Sequence, residues 1–216
     1  MARGKHEPAR DLKNPFRRGS VLSVAQMRHY RIIKRIGRGS FGAVYQAVKK
    51  GVVRALKLVN LQEVSQDEFV LECEMSKVFS ELNSGPVFVK SWRVPRMRVG
   101  VIVTELWDTN LSKYMKQSCR KSVPRVVLKK IHSQLNRIHG IGISHFDLHA
   151  DNILLRLTDE GKVWDATLTD FGHAKHTNAL DAKELEDIID HFELPKRALA
   201  SDVDQITFNQ IKRHWK

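Results

Sequence analysis

The spacing of hydrophobic positions changes twice along the first half of the chain. Residues 30–36, 43–48 and 52–59 are short apolar-rich runs, divided by Gly39-Ser-Phe-Gly42 and by Lys50-Gly51. Runs of this length bounded by glycine predict three strands, with a tight turn between the second and third. Residues 66–82 take a helical period, with Phe69, Met75, Val78, Phe79 and Leu82 on one stripe. Asn83-Ser-Gly-Pro86 stops that helix. Two more strands are predicted near 87–94 and 99–105, giving a five-stranded sheet and one helix.

The second half starts helical, over 111–115 and then 123–139. Pro124 suits the first turn of the longer helix, and Gly140 and Gly142 lie past its end. Residues 153–157 and 163–169 flank Asp159-Glu-Gly161 and predict a hairpin. The last helical patterns cover 182–192 and 203–214. Residues 1–27 are polar, basic and aperiodic, which predicts a mobile arm.

With 216 residues and 42% apolar composition, the chain can bury one core or two small lobes. It has no apolar run of about 18 residues, so no membrane span is expected. Its N-terminus lacks the apolar core of a signal peptide. Cys73 and Cys119 are expected to be reduced thiols. These features predict an intracellular protein of the cytoplasm or nucleus. The formal charge of +13 favours phosphates, nucleic acid or acidic protein segments. The basic residues look dispersed, thickening at 3–18, 93–98 and 116–130. Neither a zinc spacing nor an aromatic RNA-binding motif accompanies them, so acidic protein surfaces are the expected partners and nucleic acid is not.

Three segments carry chemistry. Gly37-Arg-Gly-Ser-Phe-Gly-Ala-Val44 has glycines that let backbone approach phosphate oxygens without a Cβ clash. Dinucleotide folds use a similar run, but there it opens a helix. Here Ala43 to Val48 continues as strand. His145-Phe-Asp-Leu-His-Ala-Asp-Asn152, followed by Ile-Leu-Leu, is the most specific segment. Asp170-Phe-Gly172 follows a β-rich stretch.

In this order the three segments resemble the protein-kinase family, well over residues 29–173 and weakly beyond. The resemblance implies an α+β, bilobal fold: an arm (1–27), a small lobe (28–106) with a five-stranded antiparallel sheet and one helix, and a shortened, mainly helical large lobe (107–216). It implies ATP and Mg2+ as cofactors and proteins as substrates. The nucleotide would lie against Ile36, Gly37, Arg38, Gly39, Ser40, Phe41, Gly42, Ala43 and Val44. Ala55, Thr104, Glu105 and Trp107 would form the purine pocket and hinge. Lys57 would hold the α- and β-phosphates, with a helix carboxylate as its partner. Glu72 is favoured over Glu74, because it shares a face with Met75 and Phe79. Asp147 would orient the attacking hydroxyl, and Asn152 and Asp170 would hold magnesium. Asp202, with Asp204 close behind, would support the catalytic loop.

Two positions depart from the family. Phe146 replaces an arginine that reads a phosphorylated activation segment, so activity without such phosphorylation is expected. His149 replaces the usual lysine and would meet the γ-phosphate only when protonated. The Ala-Pro-Glu motif and the last large-lobe helices have no counterpart. That suggests a minimal kinase of the kind seen among viruses, with a second copy or a partner covering the shortened lobe. Ser/Thr kinase activity is the leading expectation. A decoy that binds another kinase's partner is the alternative, and a small-molecule phosphotransferase comes behind it.

Overall fold

The computed structural model describes residues 28–39, 41–118, 122–179 and 202–214. The predicted arm, Ser40, Cys119, the 182–192 helix and Trp215 lie outside the described residues. The chain divides into two compact units, residues 1–65 with 90–103 and residues 66–89 with 104–216.

The first unit is built on β1 (Arg31–Gly39), β2 (Gly42–Lys49), β3 (Val52–Asn60) and most of β4 (Phe88–Val94) and β5 (Val99–Glu105), whose first two and last two residues respectively fall in the second unit; the sheet order is β1-β2-β3-β5-β4. Lys49 faces Val52 across the β2–β3 hairpin, so the turn is only Lys50-Gly51. Both residues have positive φ, +50° and +77°, the geometry whose twist matches paired strands. Alternate residues of the strands build this unit's core. Ala47, Leu56, Val99, Val101 and Val103 are fully buried, with Tyr30 and Trp92 at its margin. The β1–β2 hairpin closes with Gly39 opposite Gly42, and Asn60 N–H donates to the Phe41 carbonyl at 2.8 Å. A Cβ on Gly42 would collide with the Leu58 carbonyl, so the adjacent β3 backbone admits only glycine there.

The second unit holds α1 (Gln66–Glu81), β6 (Thr109–Asn110), α2 (Leu111–Gln117), α3 (Arg125–His139), β7 (Ile143–Ser144), β8 (Ile153–Leu157), β9 (Val163–Leu168), β10 (Lys175–His176) and α4 (Val203–His214). Pro124 sits at the N-cap of α3, one residue before the helix predicted to contain it. The strands make two small sheets, β6-β8-β9 and β10-β7. Ile131, Leu135 and Ile138 of α3 meet Ile153 and Leu155 of β8 in one core, joined by Phe79 of α1. Gln134 lies on the same buried stripe of α3. Its amide donates to the Ala166 carbonyl at 2.8 Å and accepts from Leu168 N–H at 3.1 Å, so it satisfies the β9 backbone where no strand does.

Helix α4 enters this core through Phe208, which is fully buried. Phe208→Ala is expected to cost about 3–5 kcal/mol of stability. Denaturant unfolding followed by circular dichroism measures it, and a loss under about 1 kcal/mol would mean that α4 contributes little to the core.

Candidate active site

The first unit holds the glycine-rich hairpin and Lys57. Val44 and Lys57 are directly paired across β2 and β3. Lys57 is half-buried between Leu56 and Leu58, which point into the core. Ile36, Gly37, Arg38 and Gly39 end β1, Phe41 lies in the connection, Gly42, Ala43 and Val44 open β2, and Ala55 faces Gln46. The run is strand, loop and strand, the context that separates it from a dinucleotide loop. At Gly39 an added Cβ meets nothing within 4 Å, and at Gly37 it meets only the Val44 side chain, nearest at 3.5 Å. Crowding within the protein therefore accounts for Gly42 alone. The other two glycines suit a ligand that approaches the backbone.

The second unit holds the remaining residues, and its geometry starts from Asp204. This carboxylate has no solvent exposure. It accepts from His145 N–H at 2.6 Å, from Phe146 N–H at 2.9 Å, and lies 3.1 Å from His139 Nε2. Phe146 has φ +57°, a left-handed backbone that costs a bulky residue free energy unless neighbours enforce it. Asp204, and not Asp202, therefore supports the loop, which corrects the order of preference drawn from the sequence. The reason is helix phase. Asp204 lies four residues before Phe208 and seven before Ile211, on the buried stripe, whereas Asp202 is exposed at the start of α4.

From this support the loop is built by pairs of hydrogen bonds. His145 Nε2 lies 2.9 Å from the Thr169 carbonyl, and His145 Nδ1 accepts from Asp147 N–H at 3.3 Å. One nitrogen meets an acceptor and the other a donor, so the ring is the Nε2–H tautomer. Thr169 N–H in turn donates to the Asn152 carbonyl at 3.0 Å. Thr169 is held on both sides, which sets the residue after it, Asp170, beside the loop. The Asn152 amide donates to the Asp147 carbonyl at 2.9 Å and to Asp147 Oδ2 at 3.0 Å. Both partners are acceptors, which identifies the amide nitrogen and leaves Oδ1 as the atom a cation can use. Asp170 has φ +65°. The carboxylate of Asp170 and the amide oxygen of Asn152 are hard oxygen donors that fit Mg2+, an ion that is usually bound by one or two protein groups plus phosphates. Among the described residues no larger cluster of His, Cys, Asp or Glu offers a metal site.

Phe171 fixes the other side of Asp170. Its ring stacks on Phe79 at 4.0 Å and meets His145 edge-on at 5.6 Å. A Cβ on Gly85 would lie 2.7 Å from the Phe171 ring. Gly85, which in the sequence reads as a helix stop, is thus the residue that makes room for Phe171. On α1, Glu72 is 6% exposed and Glu74 is exposed. Glu72 Oε2 and Asp170 Oδ1 lie 3.8 and 3.9 Å from the point a Gly172 Cβ would take, ordinary contact distances, so both carboxylates approach this one residue.

His149 Nε2 is 3.6 Å from Asp147 Oδ2. The hydrogen bond to Asp147 raises the imidazole above its usual value of 6.5, and the charges of Asp147, Asp151 and Asp170 add to this, while burial opposes it. At the segment read as a hinge, the Glu105 carboxylate accepts from Val87 N–H and Trp107 Nε1, each at 3.0 Å, and pairs with Arg156 at 2.6 Å. The Arg156 guanidinium also sits 4.5 Å from the Trp107 ring centre. Both side chains are engaged within the unit, so what Glu105 and Trp107 can offer a base is backbone. Thr104 Oγ1 donates to the Glu105 carbonyl at 3.1 Å.

Comparison with known proteins adds to this geometry. A family model for the protein kinase domain matches residues 30–189. Rat serine/threonine-protein kinase ULK3 is 26% identical over 175 residues, covering 77% of this chain and 36% of its own. Cyclin-dependent kinase B2-1 of Arabidopsis thaliana is 27% identical over 169 residues, covering 72% of this chain and 53% of its own. A putative serine/threonine-protein kinase/receptor R831 of Acanthamoeba polyphaga mimivirus is 28% identical over 162 residues, covering 71% and 10%. The chain thus spans between a tenth and about half of these relatives' length. The solved kinase domain of PF14_0431 superposes with a TM-score of 0.58 at 18% identity, covering 71% of this chain and 53% of that one, which is a likeness of fold.

The role of Asp204 is open to direct test. Asp204→Ala leaves two backbone N–H groups buried without an acceptor and is expected to cost about 3 kcal/mol or more. Asp202→Ala, at the start of α4, is expected to cost about 1 kcal/mol. Parallel thermal unfolding of the two variants checks the order.

Proposed function

The chain belongs to the protein kinase family, and from that premise we propose that it transfers the γ-phosphate of ATP to Ser or Thr hydroxyls of proteins. The observation that carries this reading is the Asp147–Asn152 pair, held by His145 and Thr169 next to Asp170. Asp147 Oδ2 is oriented by the Asn152 amide at 3.0 Å and stands ready to accept the proton of an attacking hydroxyl. Magnesium, when bound, neutralises charge on the transferring phosphate. Asn152 Oδ1 and the Asp170 carboxylate are the groups that would hold it. Lys57 would hold the α- and β-phosphates beneath the loop from Ile36 to Val44, with Glu72 as its carboxylate partner. Ala55, Thr104 and the backbone of Glu105 and Trp107 would receive the purine. Positioning and fixed charge supply most of the rate in this chemistry.

Phe146 supports activity without a phosphorylated activation segment. Its side chain is 4% exposed, and it offers no cation to a phosphate. Among the described residues no helix is long and apolar enough to cross a membrane. We propose protein substrates and a cytoplasmic or nuclear site of action.

Transfer of labelled phosphate to a mixture of proteins tests the proposal. Asp147→Asn is expected to lower transfer by about 100-fold or more with the fold intact. Nucleotide binding without any transfer by the wild type would instead support the decoy reading, and transfer to small molecules alone would support the metabolite reading.

The state of His149 gives a pH dependence. Its raised value favours the protonated form, so the ion pair with Asp147 is complete below 6.5 and is lost as pH rises through the folded value. Transfer is expected to fall over that interval, which lies above 6.5. His149→Lys, with a charge that persists, is expected to remove this limb from the pH–rate profile.

A further inference from the structure

Positive charge is concentrated in the first unit. Its described residues include thirteen Lys and Arg and a single acidic residue, Glu63. Residues 66–89 and 104–216, by contrast, contain 18 basic and 21 acidic residues. Nine of the thirteen cations are exposed. They come from Arg28 and β1, the β2–β3 turn, and the stretch around the β4–β5 connection, segments far apart in sequence that the sheet order gathers into one unit. Eight of the thirteen are arginines, whose planar fork matches phosphate oxygens.

The densest part is built around two rings. Tyr30 and Trp92 stack with centroids 6.2 Å apart and planes 17° from parallel. Lys90 Nζ lies 5.1 Å from the Tyr30 ring and 5.4 Å from the Trp92 ring. Lys49 Nζ lies 5.2 Å from Tyr30, and Arg28 Cζ 5.1 Å from Trp92. Lys49 also donates to the Arg28 carbonyl at 2.8 Å, which draws the three cations together. Among the described residues, no carboxylate lies within ion-pair distance of any of the three. Burial, followed by the charges of Lys49 and Arg28, holds Lys90 below its usual value, so the cations repel one another where they stand. Such repulsion is relieved by a bound anion.

We propose that this surface, centred on Arg28, Lys49 and Lys90, binds nucleic acid through its phosphates, without regard to sequence. Both rings are buried beneath the cations, at 5% and 8% exposure, so they cannot stack on a base or read one. The same burial leaves no apolar hot spot at the trio for a protein partner. At the trio the surface offers charge alone, and further cations extend from it along strands of nine residues that would reach about 30 Å. That span exceeds the three phosphates of one nucleotide and suits a polyanion with a regular repeat. The trio lies outside the residues assigned to phosphoryl transfer, so the proposal stands apart from that reading.

Fluorescence anisotropy with a labelled mixed-sequence RNA of about 20 nucleotides, and with single-stranded DNA of the same sequence, tests it. Both are expected to bind the full chain at low salt, with log affinity falling linearly against log salt. The triple variant Arg28→Gln, Lys49→Met, Lys90→Met keeps the aliphatic stems over the rings. It is expected to weaken binding at least tenfold and to flatten the slope by about 2, the value for three lost contacts on a single strand. Nucleotide-dependent thermal shifts are expected to be unchanged, which reports the fold and the ATP site separately. The single variant Lys90→Met provides a milder version if the triple variant fails to fold. Wild-type affinity in the folded variants would overturn the proposal. So would no binding at low salt, or stronger competition by polyglutamate or phosphatidylserine vesicles than by unlabelled RNA at equal charge.

Discussion

A carboxylate with no solvent exposure governs the loop from His145 to Asn152. Removing an anion from water is unfavourable unless hydrogen bonds replace the lost solvation. Asp204 meets this requirement with the N–H groups of His145 and Phe146 and the ring of His139. Hydrogen bonds to a charged group each contribute about 1.5–3 kcal/mol. The left-handed conformation of Phe146 costs about 1–3 kcal/mol, so two such bonds are enough to hold it. From there the order is transmitted along backbone and rings: His145 to Thr169, Thr169 to Asn152, and Asn152 to Asp147. A helix near the end of the sequence thereby positions a loop some 60 residues earlier, since His145 and Asp204 are 59 apart.

Aromatic packing supplies the second constraint. Phe171 can stack on Phe79 only because Gly85 carries no side chain. The stack ties the Asp170 segment to α1, the helix that carries Glu72. This explains why α1 clusters with the second unit although β3 precedes it and β4 follows it in the chain. Glu72 and Asp170 consequently approach the same small residue, Gly172. Two carboxylates near one backbone position make that region favourable for cations, the condition that a metal-bridged polyphosphate requires.

Much of this was legible in the sequence, because it depends on local pattern. Short apolar runs located all five strands of the large sheet to within three residues, the largest miss being the end of β1 at Gly39 instead of Ile36, and the apolar stripe from Phe69 to Leu82 located α1. The family motifs placed Asp147, Asn152 and Asp170 in order. What escaped depends on contacts between segments. Gly85 reads as a helix stop, and only the distant Phe171 reveals why it must be glycine. Gln134 is polar yet lies on the Ile131–Ile138 stripe, a signal that periodicity contained. Asp204 ranks behind Asp202 when the segment is read by motif alone, although the spacing to Phe208 and Ile211 puts it on the buried face. The phase of a helix decides such cases, and phase is read from apolar residues downstream of the position in question.

The two units treat charge in opposite ways. In the second, ions are matched: Lys130 lies 2.9 Å from Asp165, and Arg156 pairs with Glu105 where the latter also braces the chain near Val87. Such pairs define local geometry and compensate charge within the unit. In the first, with thirteen cations to one acid among its described residues, compensation within the sheet is arithmetically out of reach. Self-repulsion of this size lowers the stability of a compact state and grows as salt is removed. Stacking Tyr30 on Trp92 and laying three cations over the rings offsets part of it, since each cation–π contact contributes about 0.5–1 kcal/mol at an exposed site. The rest can be offset only by anions from outside the sheet. Triphosphate at the glycine loop would neutralise charge at one end of β1 and β2, whereas Arg28, Lys49 and Lys90 are gathered at the other, where β1 begins and β2 ends.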